Sequence, residues 1–300
     1  MPIGEVDPWR FQYFEAADCP ADVLIPTEDC DGWLLYPQHR WVYDKLAVAL
    51  SQGLEAAPHG VVPPRFPVFS KPLYNLHGMG VGSRVLTSRD DYYTAYAPGH
   101  MWMTLLEGDH VSTDVALVDG DPCWWRHATG AAAGDGTFDH WVVHAEPNTA
   151  VETYCGSWTR RHLRGYTGMA NFETIDGRII EVHLRFADQW PDLYGEGWVE
   201  SLVGLYTQRE WRFADADRRD GYSVVLFGPH GRRYRHPPPA LVETLRRTPG
   251  VTSIQITFHE DRDPARHSMP PGGFRLAIAN CRDLTAGQAV RERLRAYFLG

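Results

Sequence analysis

Residues 168–185 read GMANFETIDGRIIEVHLR, and they carry the clearest structural pattern in this 300-residue chain. Two runs rich in β-forming residues, 168–174 and 178–185, flank the segment Ile-Asp-Gly at 175–177. Asp-Gly between alternating apolar residues is typical of a tight turn between paired strands. The stretch therefore predicts a two-stranded hairpin.

One face of this hairpin is charged. Side chains two residues apart on a strand point the same way, so Glu181, His183 and Arg185 should share a face. Glu173 lies on the other strand, and two carboxylates on adjacent strands can bridge Mg²⁺, which prefers carboxylate and phosphate oxygens. The alternative is an ordinary surface hairpin whose charged side chains face water.

Lysine is scarce in this chain. Of the 29 basic residues only two are lysines, Lys45 and Lys71, and the rest are arginines. Lys45 lies in a predicted helix over 37–52, and Lys71 ends a predicted strand over 67–71. A compact ammonium group reaches phosphate oxygens differently from a planar guanidinium, so both lysines are candidate phosphate ligands. The alternative is that two lysines remain by chance in a coding sequence biased toward arginine.

Two further segments suit a nucleotide. The glycine-rich loop HGMGVG at 77–82 follows Lys71, and glycines let backbone N–H groups approach a phosphate. Residues 101–106 form an apolar strand whose edge can hold adenine while main-chain groups contact its rim. Lysines, glycine loop, apolar strand and charged hairpin follow in an order that suits ATP binding.

Together these features resemble the ATP-grasp ligases over residues 44–185, roughly half of the chain. Asp44-Lys45 resembles the family's Asp-Lys helix start, and FPVFSKP at 66–72 resembles its Phe-Pro-Val-x-x-Lys-Pro strand. Residues 103–110 resemble its hinge strand, and 168–185 resemble its two closing strands. The resemblance implies an α+β fold in which two lobes grip the nucleotide.

The resemblance also implies a reaction. ATP phosphorylates a carboxylate to an acyl phosphate, an amine attacks, and ADP and phosphate leave. Arg185 would hold the γ-phosphate or the acyl phosphate, because a guanidinium stabilises developing charge. The implied residues are Lys45, Lys71, His77, Gly78, Gly80, Met103, Thr104 and Leu106 for ATP, Glu173, Glu181 and His183 for the metal, and Arg185 with Lys71 for catalysis.

The chain departs from the family pattern in three places. His183 stands where the family usually has an asparagine ligand, and imidazole suits softer ions than Mg²⁺, so Mn²⁺ or a substrate-facing histidine is an alternative. Thr104 and His110 lie near hinge positions that usually hold acids. The segment before Lys45 is short, so the substrate must be bound from elsewhere. Candidates for that role, which could instead be helix-end or turn residues, are Arg160, Arg161 and Asp188.

The predicted organisation has three parts: an abbreviated N-terminal segment at 1–43, an ATP-grasp domain at 44–212 and a C-terminal α+β module at 213–300. The module carries 14 arginines against 9 acids, which suits either a solvated surface or a cover over an anionic ligand. The glycine- and alanine-rich residues 130–137 are expected to form a mobile loop. The other predicted elements are strands at 22–26, 83–87, 111–118, 123–127, 222–227, 251–258 and 273–279, and helices starting at Ser88 and over 149–163, 239–247 and 285–298.

Composition narrows the function classes. The net charge of −9 argues against general nucleic-acid binding, and no stretch approaches the ~18 apolar residues of a membrane helix. Five cysteines without a Cys-x-x-Cys pair suggest reduced thiols, so we expect a cytoplasmic protein. The expected partners are a small carboxylate and an amine, with a homodimer as one arrangement. Two alternatives use the same site: a non-catalytic nucleotide-binding module and a small-molecule kinase.

Overall fold

The computed structural model describes residues 3–76, 78 and 80–300. Within this part the chain forms two antiparallel sheets and seven α-helices, and none of these helices is long and apolar enough to cross a membrane. The strands are β1 (Ala56–Pro58), β2 (Val68–Pro72), β3 (Arg84–Leu86), β4 (His100–Thr104), β5 (His110–Val118), β6 (Asp121–Gly134), β7 (Thr137–Val143), β8 (Gly168–Ile175), β9 (Arg178–His183), β10 (Gly221–Gly228), β11 (Val251–Ile256) and β12 (Phe274–Cys281). The helices are α1 (Asp29–Leu35), α2 (Lys45–Ser51), α3 (Arg89–Thr94), α4 (Thr149–His162), α5 (Trp198–Gln208), α6 (Pro239–Arg246) and α7 (Leu284–Leu299).

The large sheet has eight strands in the order β11-β12-β10-β7-β6-β5-β8-β9. The predicted hairpin is its β8–β9 edge. Asp176 and Gly177 form the turn with φ angles of 50° and 67°, and Asp-Gly adopts such angles readily. The mixed α+β class expected from the sequence is confirmed.

The small sheet has four strands in the order β1-β4-β2-β3. Lys71 of β2 lies opposite Met101 of β4 in this sheet. The chain passes from the small sheet to the large one between Thr104 and His110, the segment predicted to be a hinge. The two sheets are therefore joined in sequence by a five-residue connection.

Helices cover one face of the large sheet. From α4, Val151 and Trp158 pack in one buried cluster with Val115 of β5 and Phe172 of β8. Farther along the same face, α6 and α7 pack on β10, β11 and β12. Since Phe172 points into this helical layer, its neighbour Glu173 points to the opposite face.

The opposite face is covered by α5 and by the N-terminal segment. Trp198 and Leu202 of α5 share a core cluster with Ala116, Phe14 and Ile25. The part of this face next to the β9 edge holds the polar side chains described below. The N-terminal segment is thus packed on the same side of the sheet as the candidate site.

The C-terminal residues extend the same large sheet. The first half of strand β10 pairs with β7, with Gly221 opposite Val143 and Ser223 opposite Trp141. The hydrogen-bonded ladder therefore continues from residues 44–212 into residues 213–300.

Several predicted elements differ from the structure. The predicted helix over 37–52 is two pieces, because Asp44 adopts an extended backbone and caps α2 after a short 3₁₀ helix at Arg40–Tyr43. The predicted strand at 22–26 is a single bridge between Ile25 and Ile3. The predicted mobile loop at 130–137 was wrong: it is the paired end of β6 and the start of β7. Elements not predicted from the sequence are α1, β1, the rest of β7 and α5.

Candidate active site

Two glutamates lie directly opposite each other in the β8–β9 hairpin. Glu173 pairs in register with Glu181, and Asn171 pairs with His183. Residues paired in this way point to the same face of a sheet, with Cβ atoms about 5 Å apart. The structure therefore brings the three predicted metal-binding side chains, Glu173, Glu181 and His183, to one face.

Lys45 reaches this face from the start of α2. Asp44 caps the helix by accepting hydrogen bonds of 3.0 Å from two backbone N–H groups in the first turn. The Lys45 side chain is only 6% exposed, and its Nζ lies 2.8 Å from Oε1 of Glu181. Burial opposes ionisation of Glu181, but Lys45 and His183 lower the pKa of its carboxyl group. Glu181 is therefore held as a carboxylate.

Lys71 approaches the same strand from the small sheet. Its Nζ donates a 2.7 Å hydrogen bond to the carbonyl oxygen of Ile180, the residue before Glu181. The side chain is deeply buried, and burial lowers the pKa of its ammonium group to about 8. The two lysines of this chain thus contact neighbouring residues of one strand.

Asp29 organises the far end of β9, and sequence reasoning missed it. It lies in the first turn of α1, and its carboxylate accepts a 2.9 Å hydrogen bond from Nδ1 of His183. It also lies 3.1 Å from Nε of Arg185. Burial opposes ionisation, but Arg185 and His183 lower the pKa of Asp29 to about 2. Because the carboxylate can only accept, Nδ1 of His183 carries the proton and Nε2 is the free ligand atom.

Glu173 pairs with a histidine on the neighbouring strand β5. Nε2 of His110 lies 2.5 Å from Oε2 of Glu173. Burial opposes ionisation of Glu173, but His110 lowers the pKa of its carboxyl group. His110, near the hinge, is thus placed against a candidate metal ligand.

The donor set fits a metal that arrives with a nucleotide. Among the described residues, the ligand atoms of Glu173, Glu181 and His183 do not all lie within 4.8 Å of one another, so they form no closed cage. Mg²⁺ is usually held by one or two carboxylates together with substrate phosphates. The two glutamates meet that requirement, and the free Nε2 of His183 adds a ligand that Mn²⁺ also accepts.

Asp114 supports the segment that follows β9. This buried residue of β5 accepts a 2.7 Å hydrogen bond from Nδ2 of Asn171 and a 3.0 Å bond from the N–H of Ala187. Tyr194 donates its hydroxyl to the same carboxylate. Burial raises the pKa of Asp114 to about 6. The available sequence signal was an acid in the middle of the predicted strand 111–118, where it is the one charged residue.

Comparison with known proteins gives the fold. No protein-family model matches the sequence, and no curated protein sequence does. An L-amino acid ligase from Bacillus licheniformis is 13% identical with a TM-score of 0.60, over 86% of this chain and 71% of that one. An N5-carboxyaminoimidazole synthase from Aspergillus clavatus is 10% identical with a TM-score of 0.61, over 87% and 74%.

A phosphoribosylamine–glycine ligase from Thermotoga maritima is 14% identical with a TM-score of 0.60, over 91% of this chain and 83% of that one. These three proteins share one fold. The chain has the ATP-grasp fold. The small and large sheets are therefore the two lobes of an ATP-grasp fold. Both lysines contact β9, which carries Glu181 and His183, and Glu173 lies opposite Glu181 on β8.

The predicted adenine strand of this ATP-grasp fold is β4. Met103 is buried in a cluster that includes Leu106 of the hinge and Ile180 of β9. The N–H of Thr104 already donates a 2.9 Å hydrogen bond to the carbonyl oxygen of Glu55. That N–H is therefore already used within the protein, and the contacts of Met103, Thr104 and Leu106 with adenine stay a prediction.

The glycine loop of the ATP-grasp fold joins β2 to β3. Gly78 and Gly80 have φ angles of 66° and 63°, and a Cβ at either would meet no described atom within 4 Å. Their backbone needs glycine, and the surrounding space is open. His77, predicted to bind ATP, lies outside the described residues.

The three candidate substrate residues are dispersed. Arg160 and Arg161 end α4, which packs on the face opposite Glu173, so the structure does not bring them to the site. Arg160 instead forms an exposed 2.9 Å ion pair with Asp121. Asp188 lies three residues beyond Arg185 and pairs with Arg10 of the N-terminal segment. Of the three, only Asp188 lies near the ATP-grasp site.

Proposed function

We propose that this chain is an ATP-dependent ligase that joins a carboxylate to an amine through an acyl phosphate. One observation carries the proposal: the two lysines of a chain that otherwise uses arginine contact adjacent residues, Ile180 and Glu181, of one strand. If the two lysines remained only by chance, there would be no reason for both to contact the same strand. The ligase names of the structural neighbours favour the same reaction class.

The charges suit a triphosphate. The side chains of Lys45 and Lys71 are buried against β9, and Arg185 lies two residues beyond the end of that strand. We assign the two lysines to α- and β-phosphate oxygens and Arg185 to the γ-phosphate. Each of these cations is already held in place, so little side-chain entropy is lost when phosphate binds.

Glu173, Glu181 and His183 would hold Mg²⁺ or Mn²⁺ together with phosphate oxygens. When bound, the ion neutralises charge on the phosphates and lowers the barrier to phosphoryl transfer. Lys45 then has a second role, because it holds Glu181 ionised and ready for the metal.

The proposed reaction has two steps. A carboxylate oxygen of the acid forms a bond to the γ-phosphorus, and the bond from that phosphorus to the bridging oxygen of ADP breaks. Arg185, fixed by Asp29, stabilises the charge on the transferring group. The amine then attacks the acyl carbon, phosphate leaves with the bonding electrons, and the new amide nitrogen loses a proton to solvent.

The test is phosphorus NMR of the protein with Mg-ATP and pooled carboxylates and amines. Wild type should form ADP and phosphate only when both pools are present. Glu181→Gln should form neither, because it removes a metal ligand and the partner of Lys45. Glu146→Gln is the matched control, since Glu146 is exposed and makes no hydrogen bond or ion pair to a described residue.

Other outcomes separate the alternatives. ADP with a stable phosphorylated acid, formed without amine, would indicate the kinase. Intact ATP with every pool would contradict the ligase and favour the nucleotide-binding module. AMP and pyrophosphate would contradict the acyl-phosphate route, because they arise from attack at the α-phosphorus.

A further inference from the structure

A second group of carboxylates lies in the N-terminal segment, outside the residues assigned to ATP. We call Glu5, Asp7 and Glu28 the N-terminal carboxylate cluster. One carboxylate oxygen from each lies within 4.8 Å of those from the other two. Among the described residues, no other group of three acidic, histidine or cysteine side chains meets this distance.

The surrounding cations do not neutralise the cluster. Nη1 of Arg10 lies 3.1 Å from Oδ2 of Asp7 and 3.5 Å from Oε1 of Glu28, and it also contacts Asp188. Burial and the charge of Arg10 lower the pKa of Arg275 to about 10, whereas the charges of Asp188, Asp7 and Glu28 favour its protonated form. Asp188 is a fourth acid, and Arg185 also acts on Asp188 and Glu28, so that with Arg185 and its partner Asp29 included three guanidinium groups face five carboxylates. When all are ionised, two negative charges remain uncompensated.

Glu5 has an acceptor atom without a partner. Its side chain is only 6% exposed, and Oε1 accepts a 2.8 Å hydrogen bond from the N–H of Asp7. Oε2 is buried and has no hydrogen-bond partner among the described residues. A buried carboxylate oxygen left in this way is costly unless a cation or donor meets it.

The pKa values of Glu5 and Glu28 also indicate crowding of negative charge. Burial, followed by the charge of Asp188, raises the pKa of Glu5 to about 8 and that of Glu28 to about 7. Two remedies exist for such crowding: the carboxyl groups take up protons, or a cation binds between them. Without a cation, Glu5 therefore holds a proton at neutral pH, and a cation that binds between the three side chains displaces it.

We propose that Glu5, Asp7 and Glu28 bind one divalent cation, with Ca²⁺ preferred over Mg²⁺. All three ligands are carboxylates, which select hard cations, and no cysteine or histidine belongs to the group. Mg²⁺ is usually bound by one or two carboxylates together with substrate phosphates, whereas Ca²⁺ accepts about six to eight oxygen ligands in a flexible geometry. Three protein carboxylates therefore suit Ca²⁺ better.

The proposed ion has a structural consequence for the active site. Glu28 immediately precedes Asp29, which holds His183 and Arg185. Glu5 and Asp7 come from the segment that packs against the same face of the large sheet. The ion would therefore fasten this segment to the start of α1, beside the residues that position the γ-phosphate end of the site.

The test is calorimetric titration of the metal-stripped, nucleotide-free full chain with CaCl₂ and, separately, with MgCl₂. We expect one Ca²⁺ per chain, with weaker binding of Mg²⁺. Glu5→Gln and Glu28→Gln should each weaken Ca²⁺ binding at least about tenfold. Glu15→Gln is the matched control, because Glu15 is exposed in the same segment. Glu181→Gln should also keep the binding, which separates this ion from a metal at the nucleotide site.

Thermal unfolding supplies an independent readout. Ca²⁺ should raise the Tm of wild type and of both controls, because a ligand that binds only the folded state stabilises it. Without metal, Glu5→Gln should unfold at the same or a higher temperature than wild type, since the neutral amide replaces a carboxyl group whose charged form is disfavoured by burial. That result separates loss of an ion ligand from loss of folding.

Three results would overturn the proposal. One is the absence of heat and of a Tm shift in wild type up to about 10 mM CaCl₂. A second is equal Ca²⁺ affinity in wild type and Glu5→Gln. A third is tighter binding of Mg²⁺ than of Ca²⁺. None of these measurements uses ATP, so a negative result would not contradict the proposed ligase activity. Likewise, absence of ligase activity would not contradict the proposed Ca²⁺ site.

Discussion

Nζ of Lys45 lies 2.8 Å from Oε1 of Glu181, and this ion pair joins the first turn of α2 to the edge strand of the large sheet. A candidate phosphate ligand and a candidate metal ligand therefore neutralise each other before any nucleotide binds. The arrangement aims both side chains at one place and gives the buried Glu181 carboxylate a partner.

Lys45→Met and Glu181→Gln should each destabilise the protein, and the double variant should lose much less than the sum. Each single change leaves one charge without its partner, whereas the double change leaves none. We expect a coupling energy of about 1–3 kcal/mol from urea unfolding of the four proteins. Additivity within about 0.5 kcal/mol would show that the pair contributes little to stability.

Affinity for Mg-ATP should fall as the pH rises above about 8. Burial lowers the pKa of Lys71 to about 8 in the free chain, so above that pH the side chain is neutral and must take up a proton to bind phosphate. The loss should approach tenfold per pH unit at most. Titration calorimetry from pH 7 to pH 10 measures it, and Lys71→Arg should give a flatter profile because its guanidinium stays charged. Equal slopes in the two proteins would assign the pH effect to another group.

Asp29→Asn should slow ADP formation about 10- to 100-fold, because Asp29 orients a candidate metal ligand and Arg185. As a positioning residue, it should also leave a spectroscopic trace. Nitrogen NMR should find His183 protonated at Nδ1 in wild type and as a mixture of tautomers in the variant. Asp31→Asn, two residues along the same helix, is the control. An unchanged tautomer together with an unchanged rate would contradict this role.

The contribution of the Asp29 carboxylate to stability should depend on pH. Arg185 and His183 lower the pKa of Asp29 to about 2 from 3.8, so its contribution to stability is complete above pH 4. It should be lost as the pH falls from about 4 toward 2. Chemical unfolding of wild type and Asp29→Asn across this range should show the difference between them shrinking at low pH. If the difference in unfolding free energy between the two proteins stays constant with pH, the Asp29 charge does not cause it.

His183→Asn should change the metal preference of the reaction. Imidazole accepts Mn²⁺ more readily than it accepts Mg²⁺, whereas an amide oxygen suits Mg²⁺. The ratio of ADP formation with Mn²⁺ to that with Mg²⁺ should therefore be lower in the variant than in wild type. An unchanged ratio would remove His183 from the metal ligands and leave it facing substrate.

Arg160→Ala should leave both ADP formation and stability almost unchanged. Arg160 lies on the helical face of the large sheet, in an exposed ion pair with Asp121. Such pairs contribute about 0–1 kcal/mol. The measurement is the rate of ADP formation at saturating Mg-ATP. A large loss of this rate would show that α4 contributes to catalysis.

The sequence predicted what local patterns specify. Asp176-Gly177 marks the β8–β9 turn, and the alternation around it places Glu181 and His183 on one face. The sequence analysis missed Asp29, which lies 154 residues before its partner His183. No local pattern indicates that an acid at the start of a helix contacts a strand so far along the chain.

Glycine content misled the prediction for residues 130–137. A Cβ at Gly130 would lie 2.4 Å from the ring of Phe138, so glycine is present there because the Phe138 ring packs closely on the backbone. Glycine that serves packing and glycine that serves flexibility have the same sequence signal. Similarly, Asp44 reads as one more helical residue, yet its capping role splits the predicted helix.

The most direct measurement of the central claim is Mg-ATP binding by titration calorimetry to wild type, Lys71→Met, Glu181→Gln and the exposed control Glu146→Gln. It requires no knowledge of the acid or the amine. The account predicts one ATP per chain for wild type and Glu146→Gln, with at least about tenfold weaker binding in the other two. Equal affinity in all four proteins, or no binding by wild type, would contradict the assignment of this site to ATP.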